Sequence, residues 1–180
     1  MKYYTADLHI GHGNIIRFCN RPFLTVDQMN KKLIENWNSV VTDKDDVYII
    51  GDMFYRLIEE LSVYLRKLKG RKHLIMGNHD KWIKKAGNKE YFETVTDYLD
   101  INDDGMRVVL FHYPILEWNA INRGSYHVYG HIHNHRGNTF EVLKNMDKAL
   151  NAGVYINGFI PVNIQQLIVN NMQFKKESID

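Results

Sequence analysis

Short apolar runs that suit β-strands alternate, in the first half of this chain, with longer runs that have helical periodicity. The strand-like runs are Lys2–Ala6, Asp46–Ile50 and Lys72–Met76, and the helical runs are Thr25–Val41 and Leu57–Leu68. Each run is bounded by polar residues or by a glycine. A β-α-β-α-β order is typical of a layered α/β fold, in which helices cover the sheet from outside.

The second half of the chain is mostly β. The turn sequence Asp103-Asp104-Gly105 predicts a hairpin between strands at Tyr98–Asn102 and Met106–His112, and Tyr126–Tyr129 predicts a further strand. Shorter candidates are strands at Val154–Asn157 and Ile160–Val162 and a helix at Asn163–Asn170, while Thr139–Leu150 fits a helix and an irregular loop equally well. The two halves together predict either one mixed sheet or two packed sheets.

Length, charge and cysteine content limit the kind of protein this is. The 180 residues suit one domain that spans residues 1–180, and a formal net charge of +2 is too weak to indicate a nucleic-acid or membrane partner. The one cysteine, Cys19, excludes a disulfide within the chain and a multi-cysteine zinc site. The first residues lack the apolar core of a signal peptide, and no run approaches a membrane span. We therefore expect a cytoplasmic protein.

Residues whose side chains can bind a metal ion or transfer a proton follow the predicted strands. They are Asp7 and His9 after the first strand, Asp52 after the second, Asn78, His79 and Asp80 after the third, His112 at the end of the Met106–His112 strand, and His131 and His133 after Tyr126–Tyr129. The carboxyl ends of strands in an open α/β sheet are where ligands bind. A glycine before Asp52, Asn78 and His131 lets the chain turn sharply off each strand. These side chains are therefore expected to meet at one edge.

The mixture of side chains indicates metal binding. Imidazole together with carboxylate and amide oxygen suits Mn, Fe, Zn or Ni. Seven candidate ligands are too many for one ion, but they fit two ions that share Asp52 as a bridging carboxylate. Two ions about 3.5–4 Å apart are the usual arrangement for phosphoester hydrolysis. In an extended backbone, Asp7-x-His9 and His131-x-His133 would each place two side chains on one side.

Each pattern taken alone has an ordinary structural explanation. Asn78 or Asp80 could cap a following helix, His112 could be a buried structural histidine, and His131-x-His133 could be a surface tract. The conjunction of all of them at strand ends favours a metal centre. His12 lies beside a motif and fits equally well as a neighbour of the ligands and as a substrate contact, while Cys19 is expected to be a small buried hydrophobic residue.

The motifs at these strand ends resemble, in the same order, the five blocks of the calcineurin-like metallophosphoesterase superfamily. The resemblance spans Asp7 to His133, and Asn151–Leu167 is similar to the end segment of small bacterial and phage members. It implies an α/β fold, a four-layer αββα sandwich of two packed mixed sheets. It also implies that a first ion is held by Asp7, His9, Asp52 and His133, and a second ion by Asp52, Asn78, His112 and His131.

The resemblance further implies an activity. The chain would be a dinuclear metal-dependent phosphoesterase, a hydrolase of phosphoric ester bonds, with hydroxide between two divalent ions as nucleophile. Mn is the first expectation for the ions, with Fe, Ni or Zn as alternatives. His79 would face the leaving-group oxygen as acid or as transition-state stabiliser, and Asp80 would orient the His79 imidazole. A phosphodiester is expected more than a phosphomonoester, because a shallow site lacks cations for a dianion.

Two departures from the family pattern concern substrate binding. Protein phosphatases of the superfamily carry Gly-Asp-x-x-Asp-Arg-Gly, whereas Tyr55 and Leu57 here replace the second aspartate and the last glycine. Arg56 keeps the arginine position, and a phosphate clamp and a surface arginine fit it equally well. The short segments between the motifs leave no room for a cap domain. Candidate substrate contacts are Arg56, His12 and Tyr113.

The expected partner is a small phosphoester such as a nucleotide or cyclic nucleotide. Near-neutral charge argues against long nucleic acid, and no membrane partner is expected. One alternative is a non-catalytic metal-binding scaffold of the same fold, which would lack ligands or His79, and all of these are present. The other is a nuclease acting on short nucleic acid, which a basic groove would reveal.

Overall fold

The computed structural model describes residues 1–55, 60–85 and 87–177, and its strands form two four-stranded sheets. The first sheet contains, in order, β1 (Lys2–Thr5), β2 (Asp46–Ile50), β3 (Arg71–Ile75) and β4 (Thr94–Thr96). The second contains β5 (Tyr98–Asp103), β6 (Met106–Phe111), β7 (Tyr126–Tyr129) and β8 (Ala149–Asn151). The α-helices are α1 (Gly13–Phe18), α2 (Val26–Val40), α3 (Leu61–Leu65), α4 (Asn138–Leu143) and α5 (Ile164–Lys176). Short 3₁₀ turns lie at Asp80–Lys84, Asn88–Tyr91 and Ile121–Arg123.

Strand direction differs between the two sheets. The four strands of the first sheet all run parallel, whereas β5 and β6 of the second are antiparallel and β6, β7 and β8 are parallel. The predicted α/β class with two packed sheets and flanking helices is confirmed. The expectation that both sheets are mixed is corrected, because only the second contains an antiparallel pair. That pair is joined by the Asp103-Asp104-Gly105 turn, and a tight turn can join only antiparallel strands.

A middle apolar layer lies between the sheets. Tyr4, Ile50 and Ile75 of the first sheet share one buried cluster with Val108 and Leu110 of the second. The Tyr4 hydroxyl also donates a 2.7 Å hydrogen bond to a carboxylate oxygen of the buried Asp103 on β5. The inner faces therefore interdigitate as in other stacked sheets.

Helices cover both outer faces. On the first sheet, Leu33 and Trp37 of α2 pack in one cluster with Val47 and Ile49 of β2. On the second sheet, Leu143 of α4 belongs to a smaller cluster that also contains Val109 and Trp118. The resulting order of layers is the predicted helix–sheet–sheet–helix sandwich.

Caps explain where the two longest helices begin. Thr25 Oγ1 accepts a 3.1 Å hydrogen bond from Gln28 N, so α2 begins where the capping-box pattern predicts. The Asn163 side chain caps α5 in the same way, by accepting from Gln166 N at 2.9 Å. Helix α5 extends beyond the predicted Asn163–Asn170, to Lys176. Among the described residues, no helix is both long and apolar enough to cross a membrane.

Several sequence-based boundaries differ from the structure. The undecided stretch 139–150 divides into α4 and the start of β8, and the short elements α1 and β4 were not predicted. The strands predicted at Val154–Asn157 and Ile160–Val162 are instead turns, with single bridges from Gly153 to Ala6 and from Val162 to Tyr4. The predicted helix Leu57–Leu68 is shorter, since α3 covers five residues, and residues 57–59 lie outside the described part of the chain.

A buried neutral histidine makes the stability of this fold depend on pH. The His127 side chain is fully buried, with Nδ1 3.3 Å from the Val109 carbonyl and Nε2 3.3 Å from Ile115 N. Nδ1–H donates to Val109, and Nε2 accepts from Ile115. Burial lowers the pKa of His127 to about 4, because a second ring proton would be desolvated and would face an N–H donor.

We expect the free energy of unfolding to fall as the pH drops from about 6.5 towards 4, since the unfolded chain takes up this proton first. Between neutral pH and a pH below 4, the lost contribution of His127 to the free energy of unfolding is roughly 3 kcal/mol. Urea unfolding of metal-free protein at several pH values would measure it, with His127→Gln as the comparison, because glutamine can also donate and accept there. An identical pH dependence in the two proteins would contradict this prediction.

Candidate metal centre

Two clusters of potential metal ligands lie at the edge where strands of both sheets end. The first contains Asp7, His9 and His133, and the second contains Asp52, His112 and His131. In each cluster, one ligand atom per residue lies within 4.8 Å of the others. Asp7 and His9 follow β1, Asp52 follows β2, His112 follows β6, and His131 and His133 follow β7. The parallel arrangement of β1 with β2 and of β6 with β7 therefore brings these turns to one edge.

Asp52 belongs to the second cluster but also lies next to the first. Its Oδ2 is 3.7 Å from His9 Nε2 in the first cluster and 3.5 Å from His112 Nε2 in the second. The amide oxygen of Asn78 adds to the second cluster, at 3.0 Å from His131 Nδ1 and 3.3 Å from His112 Nε2. The structure thus brings all seven predicted ligands together, with Asp52 where a shared carboxylate would lie.

The ligands are presented by left-handed backbone turns. The residues concerned, each with its φ, are Asp7 (56°), His9 (50°), Asp52 (55°), His131 (69°) and His133 (53°). The extended conformation expected for Asp7-x-His9 and His131-x-His133 is therefore corrected. The side chains of each pair do converge, but through two left-handed residues that flank the residue between them. Such residues are strained, and strain of this kind concentrates at functional sites.

Glycines let neighbouring turns approach each other. A Cβ atom on Gly51 would strike the His112 imidazole, and one on Gly77 would strike the Asp52 carboxylate. Gly51 also has a φ of 79°, so it combines the turn with the close approach. Besides allowing the predicted sharp turns, these glycines leave space for candidate ligands that follow neighbouring strands.

The Asp80 carboxylate holds two of these turns together. It accepts hydrogen bonds from the backbone N–H groups of Asp52 (2.7 Å), Met53 (3.1 Å) and Gly77 (2.8 Å), and from the Trp82 indole (3.0 Å). This differs from the expected contact with the His79 imidazole. Asp80 is buried, and its hydrogen bonds fix the backbone around the candidate ligands Asp52 and Asn78.

His79 lies at the mouth of the centre. Its Nε2 is 4.0 Å from Asp52 Oδ2, and its side chain is 38% exposed, whereas Asp52 is buried. The His79 ring also meets the Tyr55 ring edge-on, with centroids 5.1 Å apart. A histidine that is accessible and close to the shared carboxylate can reach a bound substrate.

Burial and charge separate the protonation states within the centre. Burial lowers the pKa of His9 to about 2 and that of His133 to about 4, so both imidazoles are neutral. Burial would raise the pKa of Asp52, but the hydrogen bond and positive charge of His112 outweigh it and hold that pKa at about 2. Burial likewise opposes the protonation of His112, yet Asp52 and Asp7 raise its pKa to about 9.

These properties fit divalent transition-metal ions. Neither ring nitrogen of the buried His9 has a hydrogen-bond partner among the described residues, which is costly for a polar group unless a ligand binds it. A neutral imidazole that lies beside carboxylates is the form that binds a metal. The nitrogen and oxygen donors of the two clusters suit Mn, Fe, Ni and Zn alike.

Two residues that the sequence analysis did not assign to the metal centre support the first cluster. The buried Arg21 guanidinium donates hydrogen bonds to the carbonyls of Asp7 (2.7 Å) and Leu8 (2.8 Å), within the left-handed turn. Cys19 Sγ lies 3.4 Å from His133 Nδ1. Cys19 is therefore a partner of a ligand as well as the buried residue that was expected. No periodic pattern marks Arg21, because it lies in an irregular segment after α1.

The three candidate substrate contacts have different outcomes. Tyr113 is 38% exposed, and its ring centroid is 4.7 Å from that of His131. His12 stacks on Tyr55, with centroids 3.8 Å apart, and lies 5.4 Å from the His9 ring. Arg56 lies outside the described residues. Tyr113 and His12 thus border the second and the first cluster respectively.

Comparison with known proteins assigns the chain to a family. The statistical model of calcineurin-like phosphoesterases matches residues 3–152, a range that includes every predicted ligand. The chain belongs to the calcineurin-like phosphoesterase family. An uncharacterised protein of Methanocaldococcus jannaschii is 33% identical to it over 168 residues, which is 92% of this chain and 88% of that protein.

Two further relatives extend over most of the chain. The Gene 66 protein of Mycobacterium phage D29 is 27% identical over 157 residues, 73% of this chain and 77% of the phage protein. The crystal structure of a protein of unknown function from Aquifex aeolicus superposes with a TM-score of 0.70 and 29% identity, and the match covers 90% of this chain and 94% of that one. The family membership supports phosphoester hydrolysis but does not identify the substrate. The substrate must therefore be argued from this chain.

The contacts of Arg21 predict a selective loss of metal binding. We expect Arg21→Met to weaken Mn²⁺ binding at the first cluster by roughly 10–100-fold, because the carbonyls of the strained turn lose their donors. Binding at the second cluster should stay unchanged, since Arg21 does not contact it. Isothermal titration with Mn²⁺ would resolve the two steps, with the exposed Arg17→Met as matched control and Arg21→Lys as partial rescue. Two unchanged binding steps in Arg21→Met would contradict the assigned role.

Proposed function

We propose that this protein hydrolyses phosphodiester bonds with two divalent transition-metal ions, of which Mn²⁺ is the first candidate and Fe, Ni and Zn are the alternatives. The observation that carries the proposal is the position of Asp52 Oδ2 between two imidazole-rich clusters, with the exposed His79 next to it. The family membership supports the class of reaction. The cytoplasm is the proposed compartment.

The proposed ligand sets follow the two clusters. Asp7, His9, His133 and Asp52 would hold one ion, and Asp52, Asn78, His112 and His131 would hold the other. When bound, the two ions would activate a water for in-line attack on phosphorus and offset the charge of the phosphoryl oxygens. Asp80 keeps the Asp52 and Asn78 turns in register through backbone hydrogen bonds.

His79 is the proposed general acid. As the oxygen of the attacking water bonds to phosphorus, the bond from phosphorus to the leaving alcohol oxygen breaks. The leaving oxygen must take up a proton, which His79 would donate, while the attacking water gives up a proton to solvent. His79 suits this role because its side chain is more than a third exposed, while its backbone N–H donates a 2.9 Å hydrogen bond to Asp52 Oδ1 that holds the residue beside the centre.

The described surroundings of the centre, which do not include Arg56, favour a diester. The described side chains that border the clusters include imidazoles and tyrosines, and the nearby Arg21 is buried, with hydrogen bonds from its guanidinium to the carbonyls of Asp7 and Leu8. A phosphomonoester dianion carries one more negative charge than a diester and would need an additional cation. A diester, with one negative charge, needs no such cation beyond the two ions.

Hydrolysis by metal-stripped protein reloaded with Mn²⁺ tests the proposal. We expect bis(p-nitrophenyl) phosphate to be cleaved faster than p-nitrophenyl phosphate, and Asp52→Asn to abolish both activities because both ions lose their shared negatively charged ligand. His73→Gln is the matched control, because His73 lies in the middle of β3 and belongs to neither cluster, and this variant should retain activity. Two bound ions with no hydrolysis of either ester, under Mn, Fe, Ni or Zn, would contradict catalysis and indicate a scaffold.

The role of His79 has a separate signature. We expect His79→Gln to bind two Mn²⁺ ions as the natural protein does, but to lower kcat by roughly 100-fold or more for a dinucleotide, whose alkoxide leaving group needs a proton. The loss should be much smaller for bis(p-nitrophenyl) phosphate, because nitrophenolate leaves without protonation. An equal loss for both substrates would refute the role of His79 as acid.

A further inference from the structure

A row of aromatic rings leads away from the second cluster. We call Tyr113, Phe111 and Tyr98 the aromatic strip. The Tyr113 ring lies 4.7 Å from the His131 ring, the Phe111 ring 5.6 Å from Tyr113, and the Tyr98 ring 6.4 Å from Phe111, all between centroids. Tyr113 is 38% and Tyr98 42% exposed. The strip is therefore continuous with the metal centre and open to solvent.

The pairing of β5 with β6 explains why the strip lies there. Tyr98 and Phe111 are directly opposite each other in this antiparallel pair. Their neighbours Leu99 and Leu110 belong to the layer between the sheets, so alternation along the strands directs Tyr98 and Phe111 to the outer face. Since β6 ends at the second cluster, the first residue of β5 lies at the same edge.

The chemistry of the strip suits rings more than phosphates. Large apolar groups that stay exposed next to a site usually mark a binding surface. Tyrosine and phenylalanine rings stack on any nucleobase, because every base has a π-face. Between Tyr98 and Tyr113, the one lysine or arginine is Arg107, and its guanidinium is bound to Asp100 at 2.9 Å. Residues 98–113, which carry the strip, therefore provide no unpaired lysine or arginine with which to follow a phosphate backbone.

We propose that the aromatic strip binds the bases of a short single-stranded oligonucleotide whose scissile phosphodiester lies at the two clusters. This inference rests on the proposed phosphodiesterase function and narrows its substrate class. Tyr113 stacks the base next to the scissile phosphate, and Phe111 and Tyr98 contact the following bases. Because the strip lacks unpaired cations, affinity comes from ring stacking over a few nucleotides and not from the charge of a long strand.

Cleavage of thymidine oligonucleotides of two, three, four and eight residues tests the inference in the Mn²⁺-loaded protein. We expect kcat/KM to rise by roughly five- to tenfold for each added nucleotide until the strip is filled, and then to level off. Tyr98→Ala should remove the rise in kcat/KM that comes from the last nucleotide added before the plateau. Cleavage of the dinucleotide and of bis(p-nitrophenyl) phosphate should stay unchanged. Leu116→Ala, which shortens an exposed aliphatic side chain after Tyr113, is the matched control.

Two further comparisons separate stacking from charge. An oligonucleotide with abasic residues at the added positions should gain nothing from its length, and KM for the trinucleotide should change little between about 50 and 200 mM NaCl. If kcat/KM still rises with length when the added residues are abasic, or if KM depends steeply on salt, the proposed base stacking is contradicted and phosphate binding is indicated instead. Equal effects of Tyr98→Ala and Leu116→Ala would also overturn it.

Failure of the strip can be distinguished from failure of the proposed function. If bis(p-nitrophenyl) phosphate is hydrolysed but kcat/KM for the oligonucleotides does not depend on their length, only the proposed base binding by the aromatic strip is contradicted. If no ester is hydrolysed, fluorescence anisotropy of a labelled thymidine trinucleotide still measures binding to the metal-loaded protein. Tyr98→Ala should then weaken that binding roughly tenfold, and unchanged binding would overturn the strip as well.

Discussion

The left-handed backbone at the strand ends is the constraint on which the rest of the site depends. Five ligand residues adopt it, at a cost of about 1 kcal/mol or more each for side chains that carry a Cβ. The cost is offset by hydrogen bonds between the turns themselves. Asp7 N donates to the Gly51 carbonyl and His9 N to the Asp52 carbonyl, each at 3.0 Å. The turn after β1 is thus bonded to the turn after β2, so neither can relax alone.

Each cluster has its own buried support. Arg21 and Cys19, in the segment after α1, contact residues of the first cluster, whereas Asp80 binds the turns that carry Asp52 and Asn78. The two clusters share one carboxylate, but they do not share these supporting groups. Besides the hydrogen bonds between the turns, each cluster is therefore supported by a different part of the fold: an irregular segment over the first sheet, and the turn that follows β3.

The sequence predicted the parts of this structure that depend on local pattern. Apolar runs located the main strands, a capping box located α2, and polar residues after each strand located the two clusters of candidate ligands. Contacts that form across the fold were not predictable in this way. Asp80 was expected to bind its neighbour His79, but its partners include Asp52 N and Met53 N, 28 and 27 residues earlier in the chain. Arg21 and the aromatic strip likewise depend on side-chain direction, which no periodicity encodes.

Strand β1 is bonded on both sides, and this has a consequence for the order in which the molecule can assemble. One side pairs with β2, while Tyr4 and Ala6 also bridge to Val162 and Gly153, near the other end of the chain. His133, in turn, is anchored through its carbonyl to Asn151 Nδ2 at 2.8 Å. During synthesis on the ribosome, Asp7 and His9 emerge long before these partners. Complete assembly of the first cluster must therefore wait until almost all of the described chain has been made.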